Sequence, residues 1–309
     1  AAAGWLRRRH GVVVDPSAVL PTIGSKEFIA WLPTMLGLGP GDLVVHPRLA
    51  YPTYGIGAQL AGARVVATDT VSAVGPERVG LRWLNSPGNP TGEVLAVPQQ
   101  RAALAWARER GAVLAADECY LGLGFDEQPV SALHESVSDG DHTGLLAVHS
   151  LSKRSNLAGY RAGFVAGDPD LVRRLLELRR HAGMMVSGPV QAAMVAALDD
   201  DKHADAQCER YRRRRAALRP ALIAAGFRVE QSTAGLYLWA TRDEDCWQSV
   251  GWLAERGILV APGVFYGTAG AAHVRVALSA TDERVAAALH RLAPAGREGA
   301  ESDRLQHTD

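Results

Sequence analysis

Ser150-Leu151-Ser152-Lys153, followed closely by Arg161, brings two hydroxyls, a primary amine and a guanidinium together just after an apolar run at 145–148 that predicts a buried strand. Such a group can hold an anion and offers a nucleophilic amine beside it. The amine is informative because the chain has only Lys26, Lys153 and Lys202 among its 33 lysines and arginines. Arginine serves wherever charge suffices, yet it neither loses its proton nor forms a Schiff base, so a lysine kept after a buried strand points to amine chemistry.

Other polar residues of chemical interest follow predicted strands. A strand at 19–23 leads into Gly24-Ser25-Lys26-Glu27, after which Phe28, Ile29, Leu32, Met35 and Leu36 recur at helical spacing. Backbone amides at such a helix start suit an anion. Strands are also predicted at 43–45, 64–67, 81–84 and 113–116, with helices at 54–61 and 98–110. The strand at 81–84 runs into Asn85-Ser86-Pro87-Gly88-Asn89-Pro90-Thr91-Gly92, and that at 113–116 into Asp117-Glu118-Cys119-Tyr120. Alternating strands and helices make an α/β fold with a mostly parallel sheet flanked by helices, whose ligands sit at the carboxyl ends of the strands. Ser25, Asn89, Asp117, Tyr120, Ser150, Ser152 and Lys153 should therefore share one edge.

Helices follow at 171–180, 190–198 and 203–225. After them come strands at 227–230, 236–240, 258–261 and 273–278, a helix at 247–256, and a last helix capped at Thr281-Asp282-Glu283. The expected division is a large domain at 1–207, a smaller C-terminal α+β domain at 208–295 and a disordered tail at 296–309.

Composition narrows the function. Of the 309 residues, 47% are apolar and 21% charged, and net charge is zero, so no electrostatic case exists for a nucleic-acid or membrane partner. The one basic run, Arg212 to Arg215, reads as a solvated helix face. Cys119, Cys208 and Cys246 are widely spaced and odd in number, which argues against a disulfide framework or a structural metal site and fits a reducing cytoplasm. No apolar run has the length of a membrane span.

An amine, a carboxylate, a phenol, an amide and a phosphate-type site are what pyridoxal phosphate (PLP) requires. The motifs Asn-Ser-Pro-Gly-Asn-Pro-Thr-Gly, Asp-Glu-Cys-Tyr and Ser-Leu-Ser-Lys with Arg161, together with Pro262-Gly263-Val264-Phe265 and Arg275, resemble the ordered set of the fold-type I, class I/II aminotransferases over about residues 4–293. The resemblance implies the PLP-transferase fold and a role for each residue. Lys153 would bind PLP covalently and move the proton between the substrate α-carbon and the cofactor. Asp117 would pair with the pyridine nitrogen, and Tyr120 and Asn89 would donate toward the ring oxygen. Ser150, Ser152, Arg161 and the amides of Ser25 and Lys26 would hold the phosphate. Tyr51 would stack on the ring, and Arg275, with Asn89 nearby, would take the substrate carboxylate.

Wording around the motifs is most similar to actinobacterial N-succinyldiaminopimelate aminotransferases of lysine and diaminopimelate biosynthesis. Glutamate would leave as 2-oxoglutarate, and N-succinyl-2-amino-6-oxopimelate would collect the amino group. Rivals are another aminotransferase (aspartate, aromatic or histidinol phosphate), a PLP lyase, or a regulator module that binds PLP without transaminase activity. The family further implies a homodimer in which residues 183–189 approach the partner's cofactor. It also implies a segment preceding the Gly4 helix that closes over substrate; the chain is expected to begin after that segment.

Overall fold

A computed structural model describes residues 1–293. Strands are β1 (Val19–Ile23), β2 (Leu43–His46), β3 (Arg64–Ala67), β4 (Val79–Asn85), β5 (Val113–Asp117), β6 (Leu145–Ser150), β7 (Ala162–Gly167), β8 (Arg228–Glu230), β9 (Tyr237–Thr241), β10 (Ala261–Pro262) and β11 (His273–Ala277). Helices are α1 (Ala2–His10), α2 (Gly24–Met35), α3 (Thr53–Leu60), α4 (Val97–Glu109), α5 (Glu135–Ser138), α6 (Leu151–Arg154), α7 (Pro169–His181), α8 (Gly188–Asp199), α9 (Lys202–Ala224), α10 (Cys246–Ala254) and α11 (Asp282–Leu292).

The larger sheet has seven strands in the order β1-β7-β6-β5-β4-β2-β3. All are mutually parallel except β7, which runs against both its neighbours. Sequence patterning passes over β7 because its Ala-Gly-Phe-Val-Ala-Gly run is poor in branched residues; its small side chains fit a fully buried position between two strands. The reversal has a consequence for the site. Arg161 precedes β7, so it lies at the same edge as the residues that follow β1, β4, β5 and β6.

Alternation sorts the sheet's side chains onto two apolar faces. One face, with Leu114, Ala116, Leu145, Ala147 and Phe164, packs against α1, α4 and α8. On the other, Leu81, Trp83, Ala115, Leu146 and Val148 pack against α2, α3 and α7.

A second sheet, order β10-β11-β9-β8, is antiparallel throughout and shares a separate apolar cluster with α9, α10 and α11. Here β10 covers only Ala261–Pro262, so the strand expected at 258–261 is mostly unpaired, and Leu259 lies out in solvent. The Arg run on α9 is also different from expectation. Arg215 is buried, donating to the Ser232 carbonyl and pairing with Asp126; Arg214 pairs with Asp282, and Arg212 donates to the carbonyls of Gly124 and Phe125. Arg212 and Arg213 keep the solvent exposure predicted for all four; Arg214 and Arg215 do not. The polar tail expected from 296 lies outside the described residues. Among those described, no helix is long and apolar enough to cross a membrane.

Candidate active site

β5 ends on Asp117, and alternation turns its side chain toward the α2 and α3 face. Its Oδ2 accepts a 2.7 Å hydrogen bond from the Tyr54 hydroxyl, and its Oδ1 accepts the Cys119 amide at 3.1 Å. Burial raises the proton affinity of this carboxylate; the donors from Cys119 and Tyr54 and the charge of Lys153 pull it back. Tyr54 lies wholly inside, stacked on Trp83 with ring centroids 4.8 Å apart, and burial beside Asp117 raises its own proton affinity. The phenol therefore stays neutral and donates. Patterning marks Tyr54 only as the start of a helix, and the family resemblance points instead to its companion in Tyr-Pro-Thr-Tyr, Tyr51. Tyr51 stands edge-on to Tyr54 at 5.9 Å, with the Lys26 ammonium 5.7 Å from its ring centroid.

β6 ends on Ser150, whose hydroxyl accepts the Ser152 amide at 3.2 Å and caps the short helix carrying Ser152 and Lys153. Ser150 therefore orders the turn that presents Lys153 as well as offering its own hydroxyl to a ligand. At the neighbouring edge, α2 begins directly on Gly24, at φ +71, so the amides of Ser25 and Lys26 lie in the first turn. Glu27 holds that turn. It accepts both terminal nitrogens of the fully buried Arg179, at 2.7 and 2.9 Å, and also the Ile23 amide at 3.3 Å.

Arg161 arrives from before β7 in the left-handed region, φ +54, anchored by donation to the Ala158 carbonyl at 2.9 Å. Its guanidinium lies against Gly24 so closely that a Cβ there would collide with it. A Cβ at Gly163 would likewise meet the Ser25 amide nitrogen at 3.0 Å. Two glycines thus let a guanidinium and helix-start amides converge, a cradle suited to phosphate.

The opposite wall comes from both sheets. Asn89 lies between two cis peptide bonds, Ser86-Pro87 and Asn89-Pro90, and its amide nitrogen donates to Asn85 Oδ1 at 2.7 Å. Arg275, on β11, donates to Asn89 Oδ1 at 2.8 Å, which leaves the Asn89 side-chain amide as a donor. The guanidinium carbon sits 3.9 Å from the Tyr237 ring centroid and 4.8 Å from that of Tyr266. Tyr120 shares a 3.0 Å hydroxyl contact with Tyr237. Burial raises the proton affinity of Tyr120, which keeps it a phenol. The pairing of β9 with β11 brings Tyr237 under Arg275, while Tyr266 comes from the turn at 263–266 that follows β10; neither placement has a local sequence signal.

The sequence-predicted set thus lies along one strand edge and the wall facing it, with an amine, a shielded carboxylate, an anion cradle and a guanidinium carrying free donors. These residues fit PLP: the cradle matches a phosphate, and the buried, doubly hydrogen-bonded carboxylate matches a protonated ring nitrogen.

Comparison with known proteins gives the same class. Residues 1–292 match the family "Aminotransferase class I and II". A probable aminotransferase of Mycobacterium tuberculosis is 66% identical over 288 residues, covering 93% of this chain and 69% of the relative. The 4-dedimethylamino-4-oxo-anhydrotetracycline transaminase OxyQ of Streptomyces rimosus is 63% identical over 292 residues, covering 94% and 81%. Among solved structures, N-succinyldiaminopimelate aminotransferase from M. tuberculosis superposes with a TM-score of 0.85 at 26% identity, covering 94% of this chain and 81% of that one. The chain belongs to the class I and II aminotransferases, which depend on PLP.

Proposed function

We propose that the chain moves an amino group from an α-amino acid to a carbonyl acceptor, with Lys153 as the attachment point for PLP and as the group that carries the proton to and from the substrate α-carbon. PLP, when bound, supplies an electron sink for the electron pair left on that carbon. Asp117 supports a protonated ring nitrogen; Tyr54 and the Cys119 amide keep the carboxylate ionised for that purpose. Tyr120 and the Asn89 amide donate at the ring oxygen. The amides of Ser25 and Lys26, with Ser150, Ser152 and Arg161, hold the phosphate, and Tyr51 covers the ring. Arg275 receives the donor's α-carboxylate in the planar two-point manner of a guanidinium. The observation that carries this reading is the burial of Asp117 with two donors, at the strand edge that also presents Lys153 and the Gly24–Arg161 cradle. A cytoplasmic homodimer belongs to the same reading, and sedimentation of the purified chain tests the dimer.

For the acceptor, the motif wording favours N-succinyl-2-amino-6-oxopimelate with glutamate as donor. A second reading, a polycyclic ketone acceptor, is favoured by 63% identity to OxyQ against 26% to the solved N-succinyldiaminopimelate aminotransferase. Glutamate-dependent turnover should be measured with the succinylated keto acid, oxaloacetate, an aromatic 2-oxo acid, a histidinol phosphate precursor and an anhydrotetracycline ketone. The first reading expects the succinylated acid to give the highest kcat/KM. A preference for the ketone replaces it with the second, and release of a keto acid without any acceptor would mean a lyase.

A further inference from the structure

Directly behind Asp117, on the α1 side of the sheet, lies a second buried carboxyl group that the proposed reaction does not use. Alternation along β5 sends Glu118 to the face opposite Asp117, and alternation along β6 sends His149 there too, opposite Ser150. Both are nearly inaccessible, with Glu118 3% and His149 2% exposed. Glu118 Oε1 accepts the Ala132 amide at 2.6 Å, and the Glu118 amide donates to Val148 at 2.9 Å. Its other oxygen has no partner and stands 3.7 Å from His149 Nε2, while neither ring nitrogen of His149 has a partner.

Phe164 stacks on the imidazole at 4.7 Å, and the Trp5 ring meets it edge-on at 5.5 Å. A cavity of about 20 Å³ opens between them, bounded by Trp5, Glu118, His149 and Phe164. That is room for one water, which could bridge two groups too far apart for a direct hydrogen bond. The charged groups around the pair are accounted for. Arg154, on the cavity wall, is paired with Asp201 at 2.9 Å; His10 meets Trp5 edge-on at 4.7 Å, and burial lowers its proton affinity to about 4; Arg9 pairs with Asp205; Lys153 and Asp117 lie beyond the sheet. Among the described residues, no cation is left to neutralise an ionised Glu118.

We propose that Glu118 is a positioning residue of the transamination site: a carboxylic acid kept protonated behind the sheet, linked through a bridging water to a neutral His149, so that Asp117 carries the one negative charge at that strand end. Two consequences follow from the geometry. A second carboxylate next to Asp117 would raise the proton affinity of Asp117 and weaken its support of the ring nitrogen. An ionised Glu118 would also draw in water between α1 and the sheet, disturbing the backbone of Asp117 and Ser150, to which Glu118 and His149 are directly joined. Burial agrees with this assignment, pushing Glu118 up to about 8 and His149 down to about 3. The role rests on the reading of Asp117 given above; the protonation of Glu118 does not.

The test uses Glu118→Gln, which imitates the protonated acid, and Glu118→Ala. In apoprotein, melting temperature is followed from about pH 5 to about pH 9. An acid whose folded proton affinity is raised contributes stability that is full below its unfolded value and lost as pH rises through its folded value. The wild type should therefore lose melting temperature across that window, and the Gln variant should lack this loss. In the holoenzyme, the Gln variant should keep kcat/KM within about threefold at neutral pH and lose the wild type's fall above pH 8, while the Ala variant should drop roughly tenfold or more. A Gln variant whose apoprotein melts with the wild-type pH slope overturns the proposal, as does one tenfold less active at every pH. If Glu118→Ala does not fold, the Gln variant still decides. An Asp117→Ala variant of normal kcat, beside a flattened Gln melting profile, would locate the failure in the reading of Asp117 instead.

Discussion

At the proposed cofactor end of the site, Asp117, Ser150, Lys153 and Arg161 all sit on or beside strands of the seven-stranded sheet. Three of these groups are fixed by hydrogen bonds: a helix cap for Ser150, two donors for Asp117, a carbonyl for Arg161. At the proposed substrate end Arg275 reaches in from the other sheet and donates to Asn89, 186 positions away. The first end is rigid because parallel strands and glycine-permitted contacts define it. The second depends on how two sheets stand relative to one another, so a substrate carboxylate that binds Arg275 also bears on the link between them. Damage at the first end should appear in kcat and cofactor attachment, and damage at the second in KM.

Lys153→Ala should break the cofactor end most completely. In the proposed site Lys153 supplies both the covalent attachment and the proton transfer, so turnover should fall by on the order of 10⁴-fold or more, with borohydride no longer fixing PLP to the protein. Full turnover with a trapped adduct would move the site to Lys26 or Lys202. Asp117→Ala comes next. PLP should still bind, because the phosphate cradle and Lys153 remain, while kcat falls on the order of 10²–10³-fold, as when a preorganised electrostatic partner is removed. A near-normal kcat would show that another group supports the ring nitrogen.

Arg275→Leu tests the other end. It removes the proposed carboxylate receptor and leaves Asn89 Oδ1 without its donor, so kcat/KM should drop roughly 10²-fold, chiefly through KM. Arg275→Lys should recover little, since an ammonium cannot reproduce a planar two-point contact or the stacking on Tyr237. A loss carried by kcat alone would erase the distinction between the two ends.

The contrast also explains what could be read from sequence. Residues of the cofactor end follow predictable strands, so Asp117, Ser150, Lys153 and the Gly24 turn could be assigned to one edge from patterning. Arg161 was assigned through its motif, but its position depends on β7, whose small residues carry no strand signal. Tyr54 and Tyr237 carry no such signal because their partners lie far along the chain, and no local period encodes a contact across 63 positions such as Tyr54 to Asp117; Tyr266 reaches Arg275 through a short turn that has no period at all. The Arg212 to Arg215 run misled for a related reason. On a lone helix four arginines belong in water, whereas here Asp126, Asp282 and loop carbonyls from elsewhere satisfy three of them.

Tyr54→Phe gives the smallest and most discriminating effect at the cofactor end. The ring should keep its stack on Trp83, so no cavity forms and stability should change little, but Asp117 loses its 2.7 Å donor and retains the Cys119 amide. A hydrogen bond to a charged group contributes about 1.5–3 kcal/mol, so kcat should fall roughly tenfold or somewhat more. The direction of the pH effect follows from which form the phenol stabilises. It donates to the carboxylate, so its removal makes Asp117 easier to protonate, and the acid limb of the kcat profile should move to higher pH. KM for the amino donor should hardly change, because Arg275 and Asn89 are untouched. If kcat and the acid limb both stay at wild-type values, Tyr54 only fills space beneath Asp117, and the carboxylate's charge is set by the backbone alone.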